Sequence, residues 1–287
     1  MRRRKPLYTG RTRDNRMGAL LIAAALGTVA VLVTVGVATA EPRRDTITGC
    51  NMESNAAPPA HTLILIDQTD ALPQDELEYA RRLIFNEYYW LPVDGLLTIR
   101  NIRAQSAKAV DIAVCRMPGS HEVNPFTTTP EAVEKDFKRS AGAQLDQFLS
   151  DMARAPSEDR SPILEAVAAA ARRPDFGEDI SKRRLVMLSD MIQNSDAYSH
   201  YGRRSLELPP AAARRFDPDL TGVEVRIHYV ERPESSVQGE DHQGFWQEYF
   251  DERGASKPAV GHTLGLGEAR TRKIWYAPAQ KPQAAKR

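Results

Sequence analysis

Residues His61–Asp70 read HTLILIDQTD, and the fold turns on them. Four consecutive large aliphatics, Leu63 to Ile66, two of them β-branched, read as a strand buried on both faces. The run stops abruptly at Asp67, with Thr69 and Asp70 just beyond. A carboxylate at the end of such a strand, beside a hydroxyl and a second acid, stands where open α/β sheets bind their ligands.

Downstream, Leu77, Ala80, Leu83, Ile84 and Tyr88 recur at helical spacing between Gln74 and Trp90. Pro73 sits near the start of this helix, where a missing N–H costs little, and Pro92 and Gly95 close it. Leu96–Ile102 and Ala109–Val114 read as two strands. The linker between them, about six residues, is too short for a parallel crossover and implies an antiparallel pair.

Thr129-Pro130-Glu131 opens a long helix with an apolar stripe from Val133 through Phe137, Ala141, Leu145 and Phe148 to Met152. Ser161-Pro162 opens another, with Ser161 as N-cap and Pro162 at N1. Arg184–Asp190, RLVMLSD, repeats the opening pattern of an apolar run stopping at a carboxylate. A short helix is expected at Pro210–Phe216, a strand at Val223–Val230 and a helix around Phe245–Phe250. Strands alternating with helices mean an α/β fold, a doubly wound and mainly parallel sheet, with the one tight β-β step as an antiparallel edge strand.

Upstream, residues 41–60 are polar and contain Pro and Gly, as a tether does. Before them, residues 17–40 carry no charge, and a helix of roughly 20 apolar residues crosses the hydrocarbon core of a bilayer. Arg2, Arg3, Arg4, Lys5, Arg11, Arg13 and Arg16 precede this run, which places the N-terminus in the cytoplasm and the rest across the membrane. The apolar core exceeds the roughly 7–15 residues usual in a signal peptide, favouring an uncleaved anchor. Cleavage near Ala40, with secretion of the rest, is the alternative. Either way residues 41–287 lie outside the cytoplasm, and a bacterial periplasm suits the Arg- and Ala-rich composition.

The resulting division is a basic cytoplasmic segment at 1–16, a transmembrane helix at 17–40, a linker at 41–60, the α/β domain at 61–254 and a C-terminal tail at 255–287. That tail shows no clear period and few large apolar residues, so it is expected to be loosely docked or disordered.

The charge is balanced, 39 Lys and Arg against 38 Asp and Glu, so it gives no argument for a nucleic-acid partner. An oxidising compartment permits a disulfide between Cys50 and Cys115. The six histidines are scattered without metal-ligand spacing and read as surface or incidental residues.

Asp67 and Asp190 each end a buried strand, and Ser161 begins a helix between them. In a doubly wound sheet all three fall on one rim, and carboxylate and hydroxyl oxygens together suit a hard divalent cation. This arrangement resembles the von Willebrand factor A domain. That family's metal-ion-dependent adhesion site uses D-x-S-x-S after the first strand, a Thr before a central helix and an Asp after the fourth strand, usually followed by Gly. Here Asp67 and Thr69 match the first motif, Ser161 the loop hydroxyl and Asp190 the acid. Ala71 replaces the second hydroxyl and Met191 the usual Gly.

The resemblance covers roughly residues 60–252. It implies a partly degenerate site in which Mg²⁺ or Ca²⁺ would be held by Asp67, Thr69, Ser161 and Asp190. It also implies recognition of a protein partner through an acidic side chain, with no catalysis. A metal-free scaffold of an envelope complex is the alternative. In the family's sheet the chain enters at the rim opposite the metal, where the antiparallel edge strand also ends, so Cys50 and Cys115 are candidates to meet there. If reduced, Cys115 would act as a small buried hydrophobe. The loop after Asp190, with Tyr198, His200, Tyr201 and Arg203, would lie on the ligand rim. A distant enzymatic reading is a Mg²⁺-dependent phosphoryl hydrolase with Asp67 as nucleophile, though Thr69 stands where its general acid would be.

Overall fold

A computed structural model describes residues 11–38, 42–69, 72–104, 111–125, 127–202, 206–232 and 235–263. The expectations for Asp70, Ala71, Ala109, Arg203, most of the basic segment and residues 264–287 lie outside the described residues.

Strand β1 (His61–Asp67) is the axis of the sheet. Leu63, Ile64, Leu65 and Ile66 are all fully buried, each contributing about 2 kcal/mol of apolar burial. It pairs in parallel with β2 (Leu96–Ile102) on one side and β4 (Arg183–Ser189) on the other. Beyond β2 runs β3 (Asp111–Cys115), antiparallel; beyond β4 come β5 (Val223–Val230) and β6 (Ser256–Thr263), both parallel. The order is β3-β2-β1-β4-β5-β6. The mainly parallel sheet with one antiparallel edge therefore matches the sequence-based expectation.

Alternation along β1 divides the core in two. Ile64 and Ile66 face a layer made by α2 (Gln74–Trp90) and α4 (Ala141–Met152), through Tyr79, Leu83, Ile84, Leu145 and Phe148. Leu63 and Leu65 face α5 (Ile163–Ala171), α6 (Pro210–Arg215) and α7 (Glu240–Glu252), through Val167, Ala168, Trp246 and Phe250. Helices on both faces explain why β1 reads as an unbroken apolar run.

Four features depart from the sequence reading. The long helix expected from Pro130 is broken into α3 (Pro130–Arg139) and α4, because Ser140 leaves helical geometry at φ −110°, ψ −105°. No residue of α3 is buried, so its apolar positions only graze the core. The tail expected from 255 begins instead as a strand: β6 extends the sheet past residue 254 to Thr263. Glu224 pairs with Ser256 and Arg226 with Ala259, so β6 holds an extra residue there. Pro258, which has no N–H to offer, falls in that bulge on an edge strand.

The histidines are the third correction. His61, His200 and His242 are buried rather than superficial. His61 Nδ1 donates to the Asp175 carbonyl at 2.5 Å, and its Nε2 meets the Thr98 hydroxyl at 2.8 Å. His242 lies 2.7 Å from the Tyr229 hydroxyl and 3.0 Å from His200.

At the N-terminus, α1 spans Arg11–Ala38, 28 residues, beginning within the basic segment. Its Leu20, Leu21, Ile22, Leu26, Val29 and Val31 are all exposed. Among the described residues no helix is long and apolar enough to cross a membrane, so the transmembrane expectation at 17–40 is not met there.

The fourth is the stretch read as a tether, which is pinned early. Met52 N–H donates to the Arg43 carbonyl at 2.8 Å, Arg44 pairs with Asp94 at 2.7 Å, and Cys50 is disulfide-bonded to Cys115.

Candidate functional site

The chain leaves β1 toward β2 on one side, and β4 adds on the other, so the sheet's switch point lies at β1 and β4. Crevices outside the carboxyl ends of the strands at such a point are where open sheets bind ligands. Asp67 and Ser189 are the last residues of these two strands.

Asp67 is the hub. Its Oδ1 accepts from Thr69 N–H at 3.1 Å and the Thr69 hydroxyl at 2.7 Å. Its Oδ2 accepts from the Ser161 hydroxyl at 2.8 Å and the Ser189 hydroxyl at 2.8 Å. The four residues are nearly buried. Charge-assisted bonds to a carboxylate are the stronger kind, so this cluster locks three segments that are far apart in sequence.

Ser161 is therefore not the N-cap that its place before Pro162 suggests. Its hydroxyl turns to Asp67, and no side-chain cap comes from Pro162. The first turn of α5 is served from the loop after β4, where the Gln193 side-chain carbonyl accepts from Leu164 N–H at 2.8 Å. Ser161 and Asn194 also exchange backbone hydrogen bonds, at 2.9 and 2.8 Å. That loop is tightly built. Tyr198 is buried, with its hydroxyl on the Leu206 carbonyl at 2.7 Å. Of Tyr198, His200 and Tyr201, only Tyr201 is exposed.

Asp190 lies on the same rim but is engaged differently. Its Oδ1 caps Ile192 N–H at 2.8 Å, and its Oδ2 faces Arg232 Nε at 3.7 Å. Arg232 in turn holds Glu76 at 2.5 Å. Met191 has φ +61°, the left-handed region in which Gly is unstrained. Burial of its side chain in the core offsets the strain. Ser189 and Arg232 were missed in the sequence. Ser189 was visible as a small polar residue between a buried run and an acid. Arg232 meets Asp190 only through the fold.

Thr69 Oγ1 and Ser161 Oγ spend their protons on Asp67 and keep their lone pairs. Those oxygens suit a hard cation. Asp190, however, already has a cation beside it in Arg232. Among the described residues no group of three His, Cys, Asp or Glu side chains is placed to hold a metal.

The cluster has a stability consequence. Asp67→Ala leaves four buried donors without their acceptor, at an expected cost of about 2–3 kcal/mol. Asp67→Asn keeps one acceptor oxygen and costs less. The urea midpoints of the two variants check this, and a wild-type midpoint for Asp67→Ala would refute it.

No protein-family model matches the chain, and no curated protein does. Among solved structures, it is similar to a von Willebrand factor type A protein from Catenulispora acidiphila, at 10% identity and a TM-score of 0.35. That match covers 68% of this chain and 42% of the other. It is also similar to the pilus adhesin SpaC from Lactobacillus rhamnosus GG in its open conformation, at 8% identity and a TM-score of 0.43, over 72% of this chain and 28% of the adhesin. The chain thus spans less than half the length of either protein.

Proposed function

We propose that this chain is a recognition module of a cell envelope: α1 anchors it in the membrane and the Asp67 rim receives a protein partner outside the cytoplasm. The observation that carries the reading is the hydroxyl–carboxylate cluster at the switch point, where Asp67 ties Thr69, Ser161 and Ser189 together. It makes a rigid rim where open sheets take their ligands. The anchor reading is supported by the charge-free run at 17–40 and by the exposed aliphatics Leu20 to Val31 of α1, since charge-free apolar sequence suits a lipid environment.

We read the rim as metal-free. Arg232 supplies the positive charge that Asp190 would otherwise take from a cation. The second reading is a Mg²⁺ or Ca²⁺ site at Asp67, Thr69, Ser161 and Asp190, favoured by the lone pairs left on the two hydroxyls, with an acidic side chain of the partner completing the shell. Thermal unfolding of the full chain in EDTA and in millimolar Mg²⁺ or Ca²⁺ separates the two, because a ligand of the folded state must raise the midpoint. The metal-free reading expects equal midpoints, and a rise with either ion would overturn it. Recognition itself is tested by capture of an envelope partner with the wild type and its loss with Asp190→Ala. Equal capture would remove the rim from the reading.

The phosphoryl-hydrolase alternative is disfavoured because both oxygens of Asp67 are engaged by hydroxyl groups. Metal-dependent phosphatase turnover that disappears in Asp67→Asn would revive it.

A further inference from the structure

We infer that the end of the domain where the parallel strands begin rests on the lipid surface, with Tyr89 and Trp90 at headgroup level. The inference rests on the membrane-anchor reading above and goes beyond it, because an anchor on a long tether would leave the domain free to stand anywhere.

The length of the connection decides this. Helix α1 ends at Ala38, and Arg43 already belongs to a hairpin, closed by Met52, that is held against the domain. Arg44 bridges to Asn51 and pairs with Asp94, Thr48 accepts from Cys115 N–H at 2.9 Å, and Cys50 is bonded to Cys115. Only residues 39–42 remain between helix and domain, a span of at most about 17 Å when fully extended. A small domain is about 30 Å across, so that gap does not admit a folded protein between the base of the domain and the bilayer.

The base has a surface that suits lipid. Ile47 is 58%, Met52 63%, Tyr89 59% and Trp90 53% exposed. They are held at one end of the sheet. Asp94, just after the C-terminal end of α2, is the partner of Arg44, and Tyr88 bonds the Cys115 carbonyl at 3.3 Å. The Trp90 ring lies over the Arg184 guanidinium, 3.4 Å from it. Arg184 is itself buried between Glu87 and Glu224, at 2.9 Å from each, so its charge is balanced within the domain and the ring is held in place. Amphipathic aromatic rings concentrate at the membrane–water interface. Exposed Tyr and Trp close to a membrane helix, on a leash too short to leave it, have that surface as their nearest partner.

The test uses the full chain reconstituted in phosphatidylcholine vesicles, with part of the lipid brominated near the headgroup end of its acyl chains. The chain has three tryptophans. Trp246 is fully buried and serves as background, and Trp275 is removed by Trp275→Phe. Bromine should quench Trp90 emission in that variant, and the quenching should be lost in the Trp90→Phe, Trp275→Phe double variant, which keeps an aromatic ring at the base. A chain retained in the bilayer through alkaline carbonate washing but showing no Trp90 quenching overturns the docked base and leaves the anchor intact. A chain released by carbonate overturns both.

Discussion

Lowering the pH from 6.5 toward 4 should strip the domain of much of its stability, at about 3 kcal/mol per pH unit from two buried histidines alone. Burial pushes His61 and His242 down from 6.5 to about 4. For His61 the Asp175 carbonyl opposes the shift, and Arg173 adds to it. His228, hydrogen-bonded to Tyr79 at 2.6 Å, is likewise lowered to about 4 by burial, with Arg226 reinforcing it. Its contribution has the same sign and falls in the same window.

The folded pKa lies below the unfolded one, so between those values the unfolded chain binds protons that the folded chain refuses. Stability is therefore full above pH 6.5, falls through the window and stops changing from this cause below about 4. A domain holds about 5–15 kcal/mol in all, so a drop of about 4 kcal/mol by pH 5 is large. Melting temperature measured across pH 7 to 4 checks this, and His242→Gln should flatten the slope. A flat profile between pH 7 and 5 would refute it.

Opening the Cys50–Cys115 bond should be the most damaging single covalent change. The cysteines are 65 residues apart. On the loop-entropy account, closing a loop of that size in the unfolded chain is worth about 4 kcal/mol. Cys50→Ser with Cys115→Ser, or the wild type under reductant, should lower the urea midpoint by a corresponding amount. An unchanged midpoint would mean that the ion pair of Arg44 with Asp94 and the Thr48 contact hold the segment unaided.

How much of this was legible in the sequence depends on how local each signal was. The axis of the sheet was readable because Leu63–Ile66 are buried on both faces and need no alternation. The antiparallel edge was readable from a short linker. β6 was not, because SKPAVGHT carries few large apolar residues and includes Pro258; its pairing is supplied by the backbone of β5. The break at Ser140 was hidden because the apolar stripe runs on from Phe137 to Ala141, whereas the conformational change is carried by one backbone position. At the rim, Asp67, Thr69 and Ser161 are brought together because each sits beside the end of an element on the same side of the sheet. Ser161 was assigned the wrong local role, since a hydroxyl before a helix reads as a cap until a carboxylate from another segment claims it. The buried histidines were unreadable for the same reason: the partners of His61 and His242, the Asp175 carbonyl, Thr98 and Tyr229, all come from other segments.

The pinned segment from Arg43 to Met52 also sets a height. β1 is seven residues long, about 23 Å at the rise of a strand, and it runs from the base to Asp67. If the base rests on the bilayer, as inferred above, the rim stands about one strand length above it, within the short reach that residues 39–42 allow. A partner in the same membrane must therefore carry its contact surface at that elevation. One whose exposed part is lower would pass beneath the rim, however well its chemistry matched. Selection among neighbours would then begin with stature, before any side chain is read.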